Sequence, residues 1–102
     1  MMRMEIEFNE NRIKRENKIS VKVLYERIDI IINELNLRKI EDGIYQDNGN
    51  EGDLTKFFVV MNVLEKLSWF RNYVIRWDWY NDRLGSICNP EPEDLMVNIY
   101  EG

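Results

Sequence analysis

The chain has 102 residues, of which 44% are hydrophobic and 32% charged, so it forms one compact domain and is neither multidomain nor disordered. Nineteen acidic against fourteen basic side chains give a net charge of −5, which argues against indiscriminate binding to nucleic acid or anionic membranes. With no His and a single Cys, it lacks the ligands of Cys- and His-type zinc sites and cannot form structural disulfides, and no apolar run is long enough to cross a bilayer, so we expect a cytoplasmic protein with no membrane partner.

The first periodic signal is strict alternation of apolar and polar side chains, which predicts a strand over residues 3–9. A polar, basic connection is predicted over residues 10–18. Residues 1–40 hold nine basic and seven acidic side chains, against five and twelve in residues 41–102. We therefore expect nucleic-acid phosphates to contact the basic residues of this connection, which are Arg12, Lys14, Arg15 and Lys18. The alternative is a solvated loop of mixed charge.

Apolar residues spaced three and four apart predict an amphipathic helix over residues 21–35, with Ser20 as its N-cap. The Asp-Gly pair at 42–43 readily adopts the positive φ angles of a tight hairpin, so strands are predicted over residues 37–40 and 44–45.

A second helix is predicted to begin at Asp53 and to end near residue 69 or 70. Its apolar arc is broader than one sheet face requires. Two explanations stay open: the helix is well buried in a small core, or part of the arc meets a second subunit.

The last long strand is predicted over residues 74–81. An acidic segment with two prolines follows it, and residues 95–100 are predicted to add a short fifth strand. We therefore divide the chain into a domain over residues 1–88 and an acidic, Pro-containing tail over residues 89–102.

The order of these elements predicts an α+β, ferredoxin-like βαββαβ fold with one antiparallel sheet, two helices on one face, and a short C-terminal extension or fifth strand. The other face of such a sheet is open. We assign Trp77 and Trp79 to this face and expect a second copy of the chain to cover it, so that the indoles form a homodimer interface. The alternative for both indoles is packing in the core.

Four short runs between residues 25 and 82 carry a distinctive spacing. They are Gly43-Ile44-Tyr45 in the hairpin, Asp53-Leu54 at the start of the second helix, Met61-Asn62-Val63-Leu64 within it and Leu67-Ser68-Trp69-Phe70 at its end. This pattern resembles the virulence-associated protein D (VapD) family. The resemblance implies a small ferredoxin-fold homodimer, similar in shape to the small nuclease-like subunit of CRISPR adaptation machinery. Several members of that family act as endoribonucleases of toxin–antitoxin systems.

The resemblance also implies a catalytic position at the end of the first strand. There the family carries Ala-Phe-Asp, whose Asp lies near its symmetry mate in the dimer and is credited with RNA cleavage. The matching residues here are Glu7-Phe8-Asn9, so Asn9 occupies the catalytic position with Glu7 beside it. An amide neither acts as a general base nor adds charge to a metal site. Glu5 and Glu7 are the carboxylates that would substitute, with magnesium as the one cofactor that a nuclease would call for.

Two functions therefore stay open. One is a VapD-like endoribonuclease that hydrolyses RNA phosphodiester bonds near Asn9, Glu7 and their dimer mates. The other is a non-catalytic acidic dimer that binds and inhibits another protein, as an antitoxin, immunity or anti-defence factor does. The acidic second half of the chain favours this alternative, because it would present a phosphate-like surface to a nucleic-acid-binding partner.

Overall fold

A computed structural model describes residues 1–81 and 92–100 of the chain. The elements in this part are β1 (Met2–Phe8), α1 (Glu10–Glu16), α2 (Val21–Glu34), β2 (Arg38–Glu41), β3 (Ile44–Gln46), α3 (Asp53–Leu64), α4 (Ser68–Tyr73), β4 (Val74–Asn81), β5 (Glu93–Asp94) and α5 (Val97–Tyr100).

The strands form one sheet in the order β2-β3-β1-β4-β5, and all neighbouring strands are antiparallel. β1 lies in the middle, where Met4 is opposite Tyr45 on one side and Trp79 on the other. The prediction of an α+β fold with a single antiparallel sheet is confirmed. The alternation in β1 is confirmed as well, because its apolar residues are buried and its polar residues lie on the other face.

Aromatic side chains fill the core between the sheet and the helices. The Phe70 ring in α4 lies 5.9 Å from that of Phe8 and 4.9 Å from that of Trp77, and Phe57 in α3 lies 4.9 Å from Trp79. Trp77 is fully buried and Trp79 is 6% exposed. Both indoles therefore pack beneath the helices, which corrects their assignment to the open face and leaves the homodimer itself a prediction.

A bulge between β1 and β4 sets which side chains of β4 face the core. Glu7 is opposite Arg76, but the next residue, Phe8, is opposite Val74, so the register shifts by one residue. Val74 is buried and Ile75 is exposed. Strict alternation along β4 would place Ile75 on the same face as Trp77 and Trp79, and because of the bulge Val74 lies on that face instead.

Residues 10–16 form a helix where the sequence predicted a connection. The Asn9 side chain caps its start by accepting a hydrogen bond from the Arg12 N–H, and Asn17 ends it in the left-handed conformation at φ 50°. Ile13 anchors the helix in the core. One apolar residue in seven gives no helical period, which is why the pattern did not indicate this element.

The predicted second helix is divided into α3 and α4. Leu67 is extended, with φ −83° and ψ 123°, which interrupts the helix before Ser68. Arg71 satisfies a carbonyl at the end of α3, because its Nη1 donates to the Glu65 oxygen at 2.6 Å. The described part of the chain thus has five helices instead of the two predicted.

The C-terminal segment also differs from the prediction. The fifth strand lies at Glu93–Asp94 rather than at residues 95–100, and Val97–Tyr100 is helical. Leu95 and Met96 are buried between the two elements. The predicted boundary between residues 88 and 89 lies outside the described residues.

Candidate functional site

The end of β1 and the first turn of α1 meet at Asn9, the predicted catalytic position. The Asn9 N–H donates to the Tyr73 carbonyl at 2.8 Å, and its side-chain Oδ1 accepts from the Arg12 N–H at 3.1 Å. We call this junction the Asn9 corner. Its amide thus has a structural role as a helix cap, and an amide cannot accept a proton as a catalytic base.

Arg12 fixes α1 to the end of α4. Its Nη1 donates to the Asn72 carbonyl and its Nε to Glu16, both at 2.6 Å, while its guanidinium lies 5.2 Å from the centre of the Tyr73 ring. The hydrogen bond from Arg12 is the largest influence on Glu16 and lowers the pKa of its carboxyl. Arg12 was predicted to bind nucleic acid, but these contacts engage its guanidinium within the protein.

An open cavity of about 310 Å³ borders the Asn9 corner. Its lining residues are Glu7, Phe8, Asn9, Glu10, Asn11 and Ile75. The polar groups that it offers are amides and carboxylates. Such a cavity can hydrogen-bond a sugar hydroxyl or a base edge, but its own charge is negative.

The carboxylate of Glu7, the second predicted catalytic residue, is engaged by Arg76 on the open face of the sheet. The Arg76 guanidinium donates to Glu7 at 3.1 Å, to Glu5 at 3.1 Å and to Asp78 at 2.8 Å. We call these four residues the Arg76 cluster. The hydrogen bond to Asp78, followed by that to Glu7, raises the pKa of Arg76, so the guanidinium stays charged.

The Arg76 guanidinium occupies the position between these carboxylates that a metal ion would need. Across residues 1–81 and 92–100, no group of three or more acidic or Cys side chains is arranged to hold a metal ion. Arg3 adds a second positive charge, with its Nε 2.8 Å from Glu5 and its guanidinium 4.7 Å from the centre of the Tyr80 ring. The cluster and Arg3 together carry three negative and two positive charges, so this group of residues has a net charge of −1.

The other predicted nucleic-acid-binding residues are separated from Arg12. Lys14, Arg15 and Lys18 are exposed, and within the described chain no carboxylate oxygen lies within 4.0 Å of their side-chain nitrogens. Lys14 and Lys18 line a second cavity of about 410 Å³, which Glu10 and Ser20 also border. We call Lys14, Arg15 and Lys18 the basic trio, and it is the part of the prediction that the structure leaves open to phosphate.

Tyr25 of α2 lies near the Asn9 corner and was not singled out from the sequence as a site residue. Its ring meets that of Phe8 edge-on at 5.1 Å. Burial raises the pKa of its hydroxyl, with a smaller opposing influence from a backbone hydrogen bond at Phe8, so Tyr25 stays protonated near neutral pH. The packing of α2 against the sheet is what shows its proximity to β1.

No model of a known protein family matches the chain, and no curated protein matches it. None of the helices that the structure describes has both the length and the apolar character needed to span a membrane.

Proposed function

We propose that the chain is a VapD-like, cytoplasmic RNA-binding protein on an endoribonuclease scaffold, in which Asn9 replaces the catalytic aspartate and cleavage is lost. The observation that carries the proposal is the place of Asn9 at the end of the central strand, with its amide used as the cap of α1. The single antiparallel sheet, in which β1 lies between β3 and β4, supports the same assignment. In the family a homodimer brings two such positions together, and the proposal includes this dimer.

Two observations support loss of cleavage rather than its transfer to another residue. The Glu7 carboxylate that borders the cavity already accepts a hydrogen bond from Arg76 through its Oε2. Glu10, the other carboxylate that lines the cavity, lies in the first turn of α1 and is exposed to solvent.

The basic trio supplies the RNA contact in this proposal. Three exposed cations on one short segment bind phosphates through charge, without reading sequence. The protein has a net charge of −5, so it would approach RNA with this local positive surface facing the RNA.

The test is cleavage of a mixed RNA pool with and without magnesium by the wild-type protein, Asn9→Asp and Asn11→Asp. The last variant is a matched control, because Asn11 lines the same cavity and the substitution adds the same charge. We expect the wild-type protein to bind RNA without cutting it, Asn9→Asp to cut it, and Asn11→Asp to stay inactive. Equal cutting by the wild-type protein and Asn9→Asp would contradict the proposal, as would the absence of RNA binding by all three.

The second candidate is a non-catalytic binder that inhibits a nucleic-acid-binding protein, as an antitoxin or immunity factor does. The specific observation in its favour is the net negative charge that the Arg76 cluster and Arg3 leave on the open face. A basic partner surface complements such a face. No RNA binding by the wild-type protein, together with no cutting by Asn9→Asp, would favour this candidate.

A further inference from the structure

The solvent-facing side of α3 carries almost no charge. Its exposed positions recur at helical spacing, and the last of them lies two residues past the end of the helix. They are Thr55, Phe58, Val59, Asn62, Val63 and Lys66. Phe58 is 50% exposed, Val59 44% and Val63 39%. We call the first five of these positions the α3 stripe.

The outer side of α2 has the composition that is typical of a helix surface exposed only to water. Its exposed residues are Lys22, Glu26, Arg27, Ile30, Asn33 and Glu34, and four of these six are charged. Ile30 is a single apolar residue among charges and needs no partner. The α3 stripe instead joins three large apolar side chains, which is the pattern of a contact surface.

The core does not account for the stripe. Phe57, Val60, Met61 and Leu64 already supply the buried side of α3. Phe58, Val59 and Val63 point away from them and remain partly exposed. One side of the broad apolar arc is therefore buried in the core, and the other side is left uncovered.

We propose that the α3 stripe packs antiparallel against the α3 stripe of a second copy of this chain. The charges at its two ends select this occupant. Glu51 precedes α3 and Lys66 follows it, and both are exposed. The two lie at equal sequence distance from the point between Phe58 and Val59. A two-fold axis at that point places Lys66 of each copy beside Glu51 of the other.

The contact is small, so the association it supports is weak and depends on concentration. α3 has 12 residues, a length of about 18 Å. One helix pair of this length buries less than the roughly 800 Å² per partner of a standard interface. Each copy carries a net charge of −5, so two copies repel each other, and the uncharged stripe adds nothing to that repulsion. Added salt screens that repulsion and should strengthen the association.

The inference does not depend on the proposed function, because the stripe shares no residue with the Asn9 corner or the basic trio. An additional dimer contact elsewhere would make the α3 contact a step from dimer to tetramer. The experiment therefore measures how much self-association is lost when residues of the α3 stripe are substituted.

The first test is sedimentation velocity over a concentration series for the wild-type protein, Phe58→Glu and Ile30→Glu. Ile30 is the matched control, since it is 60% exposed and lies on α2. We expect Phe58→Glu to weaken self-association by about tenfold or more and Ile30→Glu to leave it unchanged. Circular dichroism confirms that both variants fold. A wild-type protein that never self-associates, or equal behaviour of the two variants, would overturn the contact and leave the stripe to a different protein.

The second test distinguishes an antiparallel self-contact from any other. Glu51→Lys and Lys66→Glu each place like charges together across the axis and should weaken association severalfold. The double variant restores opposite charges and should recover it. In a parallel contact each residue would lie beside the same residue of the second chain, and the double variant would show no recovery. Failure of the double variant to recover association therefore overturns the proposed geometry.

Discussion

Arg76 on β4 lies directly opposite Glu7 on β1, and its Nε donates to the Glu7 carboxylate at 3.1 Å. The same guanidinium bridges Glu5 and Asp78, which are themselves opposite each other in the ladder. Two carboxylates at directly opposed positions repel, and the shared cation turns this repulsion into attraction. Glu5, Glu7 and Asp78 therefore each have a cationic partner within the protein.

Replacing Arg76 should expose that repulsion. We expect Arg76→Gln to lower the free energy of unfolding by about 1 kcal/mol, a modest loss because the side chain is partly exposed to solvent. The loss should shrink in about 1 M NaCl, which screens the carboxylates from one another. Urea denaturation at low and high salt measures both effects. Arg38→Gln, an exposed change on β2, is the control and should have little effect at either salt concentration.

The capping role of Asn9 predicts opposite outcomes for two substitutions. Asn9→Ala removes the acceptor of the Arg12 N–H and should cost about 1 kcal/mol of unfolding free energy. Asn9→Asp keeps an acceptor and adds a negative charge at the start of α1, so its stability should match or exceed that of the wild-type protein. Urea denaturation of the two variants checks this. A large loss in Asn9→Asp would show that the side chain does more than cap the helix.

Asp53 should make stability depend on acid pH. Its carboxyl is buried, which raises its pKa, but hydrogen bonds from the Asn48 and Asn50 N–H groups and the nearby Lys56 outweigh burial and lower the pKa overall. The folded state therefore binds this proton less readily than the unfolded state. The stabilisation is complete above the ordinary Asp pKa of about 3.9 and is lost as the pH falls through that value toward the lowered pKa of the folded protein.

The measurement compares the wild-type protein with Asp53→Asn by urea denaturation across this acid range. The wild-type protein should be more stable near neutral pH, and the difference should narrow as the solution becomes more acidic. Glu34→Gln is the control, because Glu34 is exposed at the end of α2 and makes no ion pair within the described chain. A difference that stays constant with pH would mean that the Asp53 charge is not what matters.

Substitutions in the basic trio should affect RNA binding, whereas a substitution of Arg12 should affect stability. Lys14→Gln combined with Lys18→Gln should weaken RNA binding severalfold for all sequences and reduce its dependence on salt, because fewer counterions are released. Arg12→Gln should instead lower stability, since Arg12 holds α1 to Asn72 and Glu16. Fluorescence anisotropy over a salt series measures the binding, with Lys22→Gln on α2 as the control. Unchanged affinity in the double variant would remove the trio from the interface.

The hairpin shows how far local sequence reaches. The Asp-Gly pair predicted a tight turn, and Gly43 has φ +83°. A Cβ on Gly43 would clash with the Ile6 carbonyl oxygen, so glycine is required by the neighbouring strand as well as by the turn. The first of these reasons is local and was available from the sequence. The second joins β1 to the hairpin and was not.

The sequence by itself determined the alternating strands, the amphipathic helix after Ser20, the hairpin and hence a single antiparallel sheet, because periodicity and turn chemistry are properties of neighbouring residues. Tertiary structure decided the rest. The bulge opposite Val74 set the inner face of β4, the Tyr73 carbonyl and the Arg12 N–H fixed the Asn9 corner, and Arg76 bound Glu7 from 69 residues away. Each of these depends on which strands and turns come together in space, and spacing along one chain does not encode that choice.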